Sequence, residues 1–251
     1  MPQTRVIVVT GAASGIGAAV ANLLASPNVS LLLHSSGSSE KGRALLNEVE
    51  KSCQARGAKT QICYSDLSMH GAGNKLIKDA VNAFGSVDQL VSNAGYALKK
   101  SLSETSSQDL SQAFNTMAVS FFEMAHAAMP YMKKSECGSI VLTSSFVAHR
   151  YKQGELYPVT ALAKAAAESL AMSLAAELAP SGITVNCVVP GYTTKDPKRY
   201  PEADWTKLPK PPMGRFGSAD DIARTVGFLL SNNARYITGQ RLGVDGGLQL
   251  G

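Results

Sequence analysis

The chain is poor in cysteine: Cys53, Cys63, Cys137 and Cys187 are the only four in 251 residues. None falls at a CxxC spacing, which excludes a disulfide framework and fits a reducing, cytoplasmic compartment. Histidine is as scarce, and His34, His70, His126 and His149 show no HxH or HxxxH spacing. A protein-built metal site is therefore not expected, and the histidines read as satisfied or surface side chains. No apolar run approaches the ~20 residues of a bilayer span. No secretory signal is expected either, because Arg5 leads directly into Val6-Ile7-Val8-Val9 without a small-residue cleavage site. With 45% hydrophobic and 17% charged residues, disordered, collagen-like and coiled-coil chains are excluded.

A surplus of basic residues, 24 against 19 acidic, gives a net charge of +5. The basic residues are spread out, with one local excess at 195–215, and lack the aromatic interleaving of RNA-binding surfaces. Neither nucleic acid nor membrane is an expected partner.

Short β-branched runs alternate with longer stretches of helical period, the pattern of βαβ units in a parallel sheet. Strands are expected near 5–10, 29–34, 59–63, 87–92, 139–143, 183–188 and 240–244. Long helices are expected over 107–132 and 158–180, the second opened by Pro158 and stopped by Ala-Pro-Ser-Gly. The fold class that follows is α/β: a single Rossmann-type, doubly wound parallel sheet of about seven strands with helices on both faces, spanning 1–251 as one domain. The proline-rich stretch 191–217 reads as a lid.

Strand one runs into Thr10-Gly11-Ala12-Ala13-Ser14-Gly15-Ile16-Gly17 and then a helix. Glycines there permit a tight turn and a close approach to a pyrophosphate, which the amides at the helix start attract. The cofactor-binding candidates of this turn are Gly11, Ser14, Gly15, Ile16 and Gly17. An NAD site places a carboxylate at the end of strand two. This chain offers His34-Ser35-Ser36-Gly37-Ser38-Ser39 instead, with Lys41 and Arg43 behind. Ser35 and Ser36 can accept a 2′-phosphate that an acid would repel, so NADP(H) is preferred over NAD(H). Asp66, followed by Leu67 after strand three, is placed to accept from the adenine amino group.

Taken together, Thr10–Gly17, Asp66-Leu67, Asn93-Ala94-Gly95, the segment 138–145, Pro190-Gly191 and Val244-Asp245-Gly246-Gly247 resemble the short-chain dehydrogenase/reductase family over nearly the whole chain. The resemblance implies that Asn93, Ala94 and Gly95 line the cofactor cleft. It also implies that Pro190, Gly191 and Thr193, with Val189 or Thr194, hold the nicotinamide carboxamide. The family's usual site is Ser and Tyr-x-x-x-Lys, with an Asn from the preceding long helix. Lys164 matches the lysine and Ser145 the serine, but Thr160 stands at the tyrosine position and Met117 at the asparagine position.

The nearest upstream phenol gives Tyr157-x6-Lys164, a spacing similar to that of the enoyl-acyl-carrier-protein reductases within this superfamily. Seven helical residues turn ~700° and advance ~10.5 Å, so both side chains would share a face two turns apart. The catalytic candidates are therefore Tyr157 as oxyanion donor, Lys164 on the nicotinamide ribose, and Ser145. Tyr151 is a rival phenol. Reduction of an enoyl thioester, on an acyl carrier protein or CoA, is the expected function. Reduction of a 3-ketoacyl or other ketone group is the alternative, and a non-catalytic dinucleotide-binding protein the third reading. The family further implies fatty acid metabolism and a homotetramer or homodimer.

Overall fold

The computed structural model describes residues 4–151, 156–194 and 208–250. Strands and helices alternate along the chain: β1 (Arg5–Val9), α1 (Gly15–Leu24), β2 (Val29–Ser35), α2 (Glu40–Ala55), β3 (Lys59–Tyr64), α3 (Ala72–Phe84) and β4 (Gln89–Ser92) come first. They are followed by α4 (Ser107–Phe114), α5 (Ser120–Met132), β5 (Ser139–Thr143), α6 (Pro158–Leu178), β6 (Thr184–Pro190), α7 (Ala219–Leu229) and β7 (Arg241–Val244). The strands form one 7-stranded parallel sheet in the order β3-β2-β1-β4-β5-β6-β7.

Side chains alternate across each strand, so the sheet has two cores. Val8, Leu32, Leu90, Ile140 and Val185 face α3, α5 and α6 through Leu76, Phe121, Met124, Ala167 and Ala171. Ile7, Val9, Leu31, Leu33 and Val141 face α1, α2 and α7 through Val20, Leu46, Ile222 and Val226. Near-continuous apolar strands are what burial on both faces requires.

The expected 107–132 helix forms, with one departure: Asn115–Val119 is a π-helical turn between α4 and α5. Such a turn holds one extra residue per hydrogen bond, and it carries Met117. α6 begins at Pro158, where the missing amide costs nothing, and ends through a 3₁₀ turn at Gly182 with φ +71°. Among the described residues, the helix 158–181 is long and apolar enough by length and composition to cross a membrane, which the sequence had not suggested. Mean hydropathy counts alanines and leucines whichever way they face. Here Ala163, Ala167, Ala171 and Ala175 are buried in the molecule's own core. Of the lid expected at 191–217, residues 195–207 lie outside the described residues. Its two ends are tied by a bridge between Thr193 and Gly217.

The strand order reverses between β1 and β4, and at such a switch the loops beyond the strands' carboxyl ends diverge and leave a crevice. That crevice is the candidate site.

Candidate active site

A cleft of about 470 Å³ opens at this switch point. Its phosphate end is the turn after β1. Gly11 and Gly15 adopt positive φ, +65° and +56°, a region closed to most side chains. A Cβ on Gly17 would stand 2.2 Å from the Gly11 carbonyl oxygen, so the close return of the turn over α1 requires glycine there. The turn is stitched to the loop after β4. The Thr10 hydroxyl accepts from the amides of Asn93 (2.8 Å) and Ala94 (2.9 Å), and Asn93 Nδ2 donates to the Thr10 carbonyl (3.0 Å). Ser14 caps α1 in an extended conformation without folding its side chain over the helix's first turn. The α1 N-terminus therefore faces the cleft with its partial positive charge.

His34 closes the back of this turn. Its Nε2 donates to the Ser65 carbonyl (2.9 Å) and its Nδ1 accepts from the Gly11 amide (3.4 Å). Burial pushes its pKa down, the Ser65 carbonyl and Asp66 opposing, so it stays neutral and structural. This is a satisfied histidine. Beyond it, Ser35 and Ser36 line the cleft and no carboxylate follows β2 before Glu40. Arg43 reaches back from α2 to the Gly37 carbonyl (2.7 Å), which fixes the serine loop. Asp66 and Leu67 also line the cleft, and Asp66 Oδ1 accepts from the amide (2.9 Å) and hydroxyl (2.8 Å) of Ser68.

At the other end the lining is Asn93, Ala94, Gly95, Tyr96, Thr116, Thr143, Ser144, Ser145, Thr160 and Lys164. Lys164 is the central group. Buried on α6, it donates through Nζ to the Thr143 carbonyl (2.6 Å). Desolvation lowers its pKa to about 8, against the opposing charges of Glu168 and Cys187. Thr160, one helical turn earlier, is equally buried, and its hydroxyl accepts from the Leu98 amide (2.9 Å) and donates to the Tyr96 carbonyl (3.4 Å). Met117 and Lys164 both approach Gly95, where an added Cβ would stand 3.0 and 3.2 Å from Met117 Sδ and Lys164 Nζ.

Of the candidate site residues, Gly11, Ser14, Ile16, Ser35, Ser36, Asp66, Leu67, Asn93, Ala94, Gly95, Ser145 and Lys164 line one cleft. Gly15 and Gly17 shape it from behind. Pro190, Gly191 and Thr193 do not line it: Gly191 packs on Asp245, and the Thr193 hydroxyl donates to the Gly191 carbonyl (3.2 Å). Tyr157 departs most from expectation. It is half-buried against Phe146, Val147 and Leu248, beside Tyr192, and is absent from the cleft lining. The shared-face geometry assumed a helical Tyr157, but the residue is the N-cap of α6 with φ −133° and ψ 59°, so its side chain leaves off the helical track. The rival Tyr151 is 72% exposed and donates to the Ala148 carbonyl (2.8 Å).

Sequence reasoning missed Tyr96 and Thr116 in the lining, and within the matched 138–145 segment it chose Ser145 over Thr143 and Ser144, which also line the cleft. Only the positions of Tyr96 and Thr116 beside motif residues could have signalled them. It also missed Glu168, whose spacing of four from Lys164 was visible. The cleft fits a dinucleotide in one further respect: Ser65 Oγ and Thr143 Oγ1, in its wall, are buried without a hydrogen-bond partner among the described residues. Such groups are costly to leave unmet.

Comparison with known proteins agrees with this geometry. A family model described as enoyl-(acyl carrier protein) reductase matches residues 11–249. The 3-oxoacyl-[acyl-carrier-protein] reductase FabG of Staphylococcus aureus is 34% identical over 252 residues, covering 100% of both chains. The diacetyl reductase [(S)-acetoin forming] of Staphylococcus epidermidis is 30% identical, covering 98% of this chain and 99% of that protein. Among solved structures, acetoin dehydrogenase YohF from Salmonella typhimurium superposes with a TM-score of 0.85 at 32% identity, covering 99% and 97% of the two chains. A blue fluorescent protein from a metagenomic library, in complex with NADPH, gives 0.89 at 28% identity, covering 98% of each. With its parallel sheet, glycine turn and buried lysine in one cleft, the chain belongs to the short-chain dehydrogenase/reductase family of nicotinamide-dependent oxidoreductases.

Proposed function

We propose that the protein is an NADP(H)-dependent ketoreductase acting on a 3-oxoacyl thioester or a small vicinal ketone. This reverses the order of preference that the Tyr157-x6-Lys164 spacing suggested. The observation that carries it is the meeting of Ser145 and Lys164 at one end of the cleft, on the β5 end and the α6 face, with Tyr157 outside the lining. A hydroxyl and an ammonium there can stabilise charge growing on a carbonyl oxygen. A lysine with a pKa near 8 holds a proton at neutral pH yet gives it up more readily than an ordinary lysine. The names of the FabG and diacetyl reductase relatives support the same chemistry.

The reduced nicotinamide, when bound, supplies the hydride. The chain's own residues do the rest. The α1 N-terminus and the glycine turn receive the pyrophosphate, Ser35 and Ser36 suit a 2′-phosphate, and Lys164 is placed to hold the nicotinamide ribose. Phe146, Val147, Tyr157, Tyr192 and Leu248 form an apolar cluster beyond Ser145, suited to an acyl chain. Acyl carrier protein is the proposed donor of such a substrate. Assembly as a homotetramer or homodimer belongs to the same reading, supported by exposed Leu110, Phe114, Phe122 and Leu162 on α4, α5 and α6.

Enoyl-thioester reduction is the second reading, favoured by the description of the matching family model and by Met117 and Thr160 at the two departures. NADPH oxidation with acetoacetyl thioester, diacetyl and crotonyl thioester separates the two. Turnover of the first or second supports the ketoreductase. Turnover of crotonyl thioester alone, abolished by Tyr157→Phe, would establish the enoyl reaction instead. Tight NADPH binding without turnover of any of the three would leave a non-catalytic binding protein.

A further inference from the structure

Glu168 is a buried carboxylate, 2% exposed, that the chemistry above leaves without a role. It follows Lys164 by one turn of α6. A carboxylate taken out of water is costly unless its oxygens are met. Both are met here. Oε1 accepts from the Ser144 hydroxyl and contacts His149 Nε2 at 2.9 Å, and Oε2 pairs with Arg241 Nε at 3.1 Å. Lys164 on its own helix and Cys187 on β6 are the other ionisable groups that feel its charge.

These contacts join the inside of the cleft to its outside. Ser144 lines the cleft and is buried, while the side chains of His149 and Arg241 are 33% and 46% exposed. Arg241 fixes the carboxylate by one oxygen, which leaves the other between a cleft hydroxyl and a solvent-reaching imidazole. The two positions that depart from the family pattern supply no such link. Thr160, at the position of the family's phenol, has its hydroxyl engaged by Leu98 and Tyr96, and the Met117 thioether carries no proton.

We propose that His149, Glu168 and Ser144 form a proton relay that carries a solvent proton to the oxygen reduced in the cleft. The proposal rests on the ketoreductase reading. As the carbonyl carbon takes a hydride from the reduced nicotinamide dinucleotide, the C=O π pair moves to oxygen. That oxygen takes the proton of Ser144, whose O–H bond breaks. Glu168 Oε1, a carboxylate at the outset, takes the proton of His149 Nε2 and hands it to Ser144 Oγ, and the ring takes one proton back from solvent. One hydride and one proton are consumed, and the three side chains end as they began.

The test uses the full-length protein with Glu168→Gln, His149→Ala and wild type. The relay predicts that Glu168→Gln lowers kcat about 100-fold, the scale of one general acid–base contribution, with NADPH affinity by fluorescence titration within twofold of wild type. It predicts that His149→Ala loses activity that added imidazole restores, a rescue that a packing role would not give. In the dinucleotide-free protein, the His149 Nε2 proton should be visible by NMR as a slowly exchanging signal that vanishes in Glu168→Gln. If Glu168→Gln does not fold, the exposed His149→Ala carries the test by itself. Variants that reduce ketones as fast as wild type, or a His149→Ala loss that imidazole does not restore, overturn the relay and leave the ketoreductase standing. A wild type that reduces no ketone removes both.

Discussion

Thr160 and Lys164 stand one helical turn apart on the cleft face of α6, and the threonine hydroxyl is spent on the loop after β4 rather than on the lysine. Thr160 thus ties α6 to the Tyr96–Leu98 backbone, at the position where the family resemblance leads one to expect a reactive phenol. Thr160→Val keeps the shape and deletes the hydroxyl, which leaves the half-buried Leu98 amide without its acceptor. The expected cost is about 1 kcal/mol. Denaturant unfolding of the two proteins measures it, and equal midpoints would show that the tie carries no stability.

Lys164 makes stability depend on pH in an unusual direction. Its pKa in the fold is about 8, below the 10.5 of a free lysine, chiefly because burial penalises the charge. Between these values the unfolded chain binds more protons than the fold, so stability rises with pH across the window. The folded state bears the cost of the buried ammonium below pH 8 and is relieved of it above. At ~1.36 kcal/mol per unit the full effect is on the order of 3 kcal/mol. Compared with Lys164→Met, which lacks the titration, wild type should gain relative stability from pH 7.5 to 10.5. A constant difference over that range would place the lysine's pKa near its free value.

The glycine turn allows no side chain at position 17. A Cβ there would lie 2.2 Å from the Gly11 carbonyl oxygen and 2.7 Å from Asn93 Nδ2, both of which belong to the stitch between the β1 and β4 loops. Gly17→Ala should therefore open the turn, with NADPH affinity falling at least tenfold in fluorescence titration and a cost of roughly 1–3 kcal/mol for overpacking. Unchanged affinity would mean that the turn does not form the phosphate end of the site.

The strands and the cofactor turn were legible because they are local. Short apolar, β-branched runs and glycine spacing need no knowledge of the rest of the chain, and Val29–Ser35 or Ser139–Thr143 fall where the pattern puts them. Tyr157 was not legible in this way. Its direction depends on backbone dihedrals at a helix boundary, and one non-helical residue turns a shared helical face into a different contact set. Glu168 was hidden for another reason: a glutamate in an alanine-rich helix reads as solvated until Ser144 and His149, from the segment after β5, and Arg241, from β7, are seen around it. The π turn carries Met117, which packs with Ala113 of α4 and with Val159 and Ala163 of α6, and the α6 partners lie in no local window of the sequence around it.

Ser36 offers the most direct test of cofactor choice. The end of β2 and the loop after it present hydroxyls and backbone to the cleft, and Arg43 braces that loop through the Gly37 carbonyl. A carboxylate there would repel a 2′-phosphate and accept hydrogen bonds from a free ribose diol. Ser36→Asp should weaken NADPH on the order of 100-fold, which corresponds to about 2.7 kcal/mol, and improve NADH. The ratio of kcat/KM for the two dinucleotides, measured with the same ketone, reads the change. Should the substitution leave that ratio untouched, the 2′-phosphate is recognised elsewhere, and Lys41, close by at the start of α2, becomes the next residue to replace.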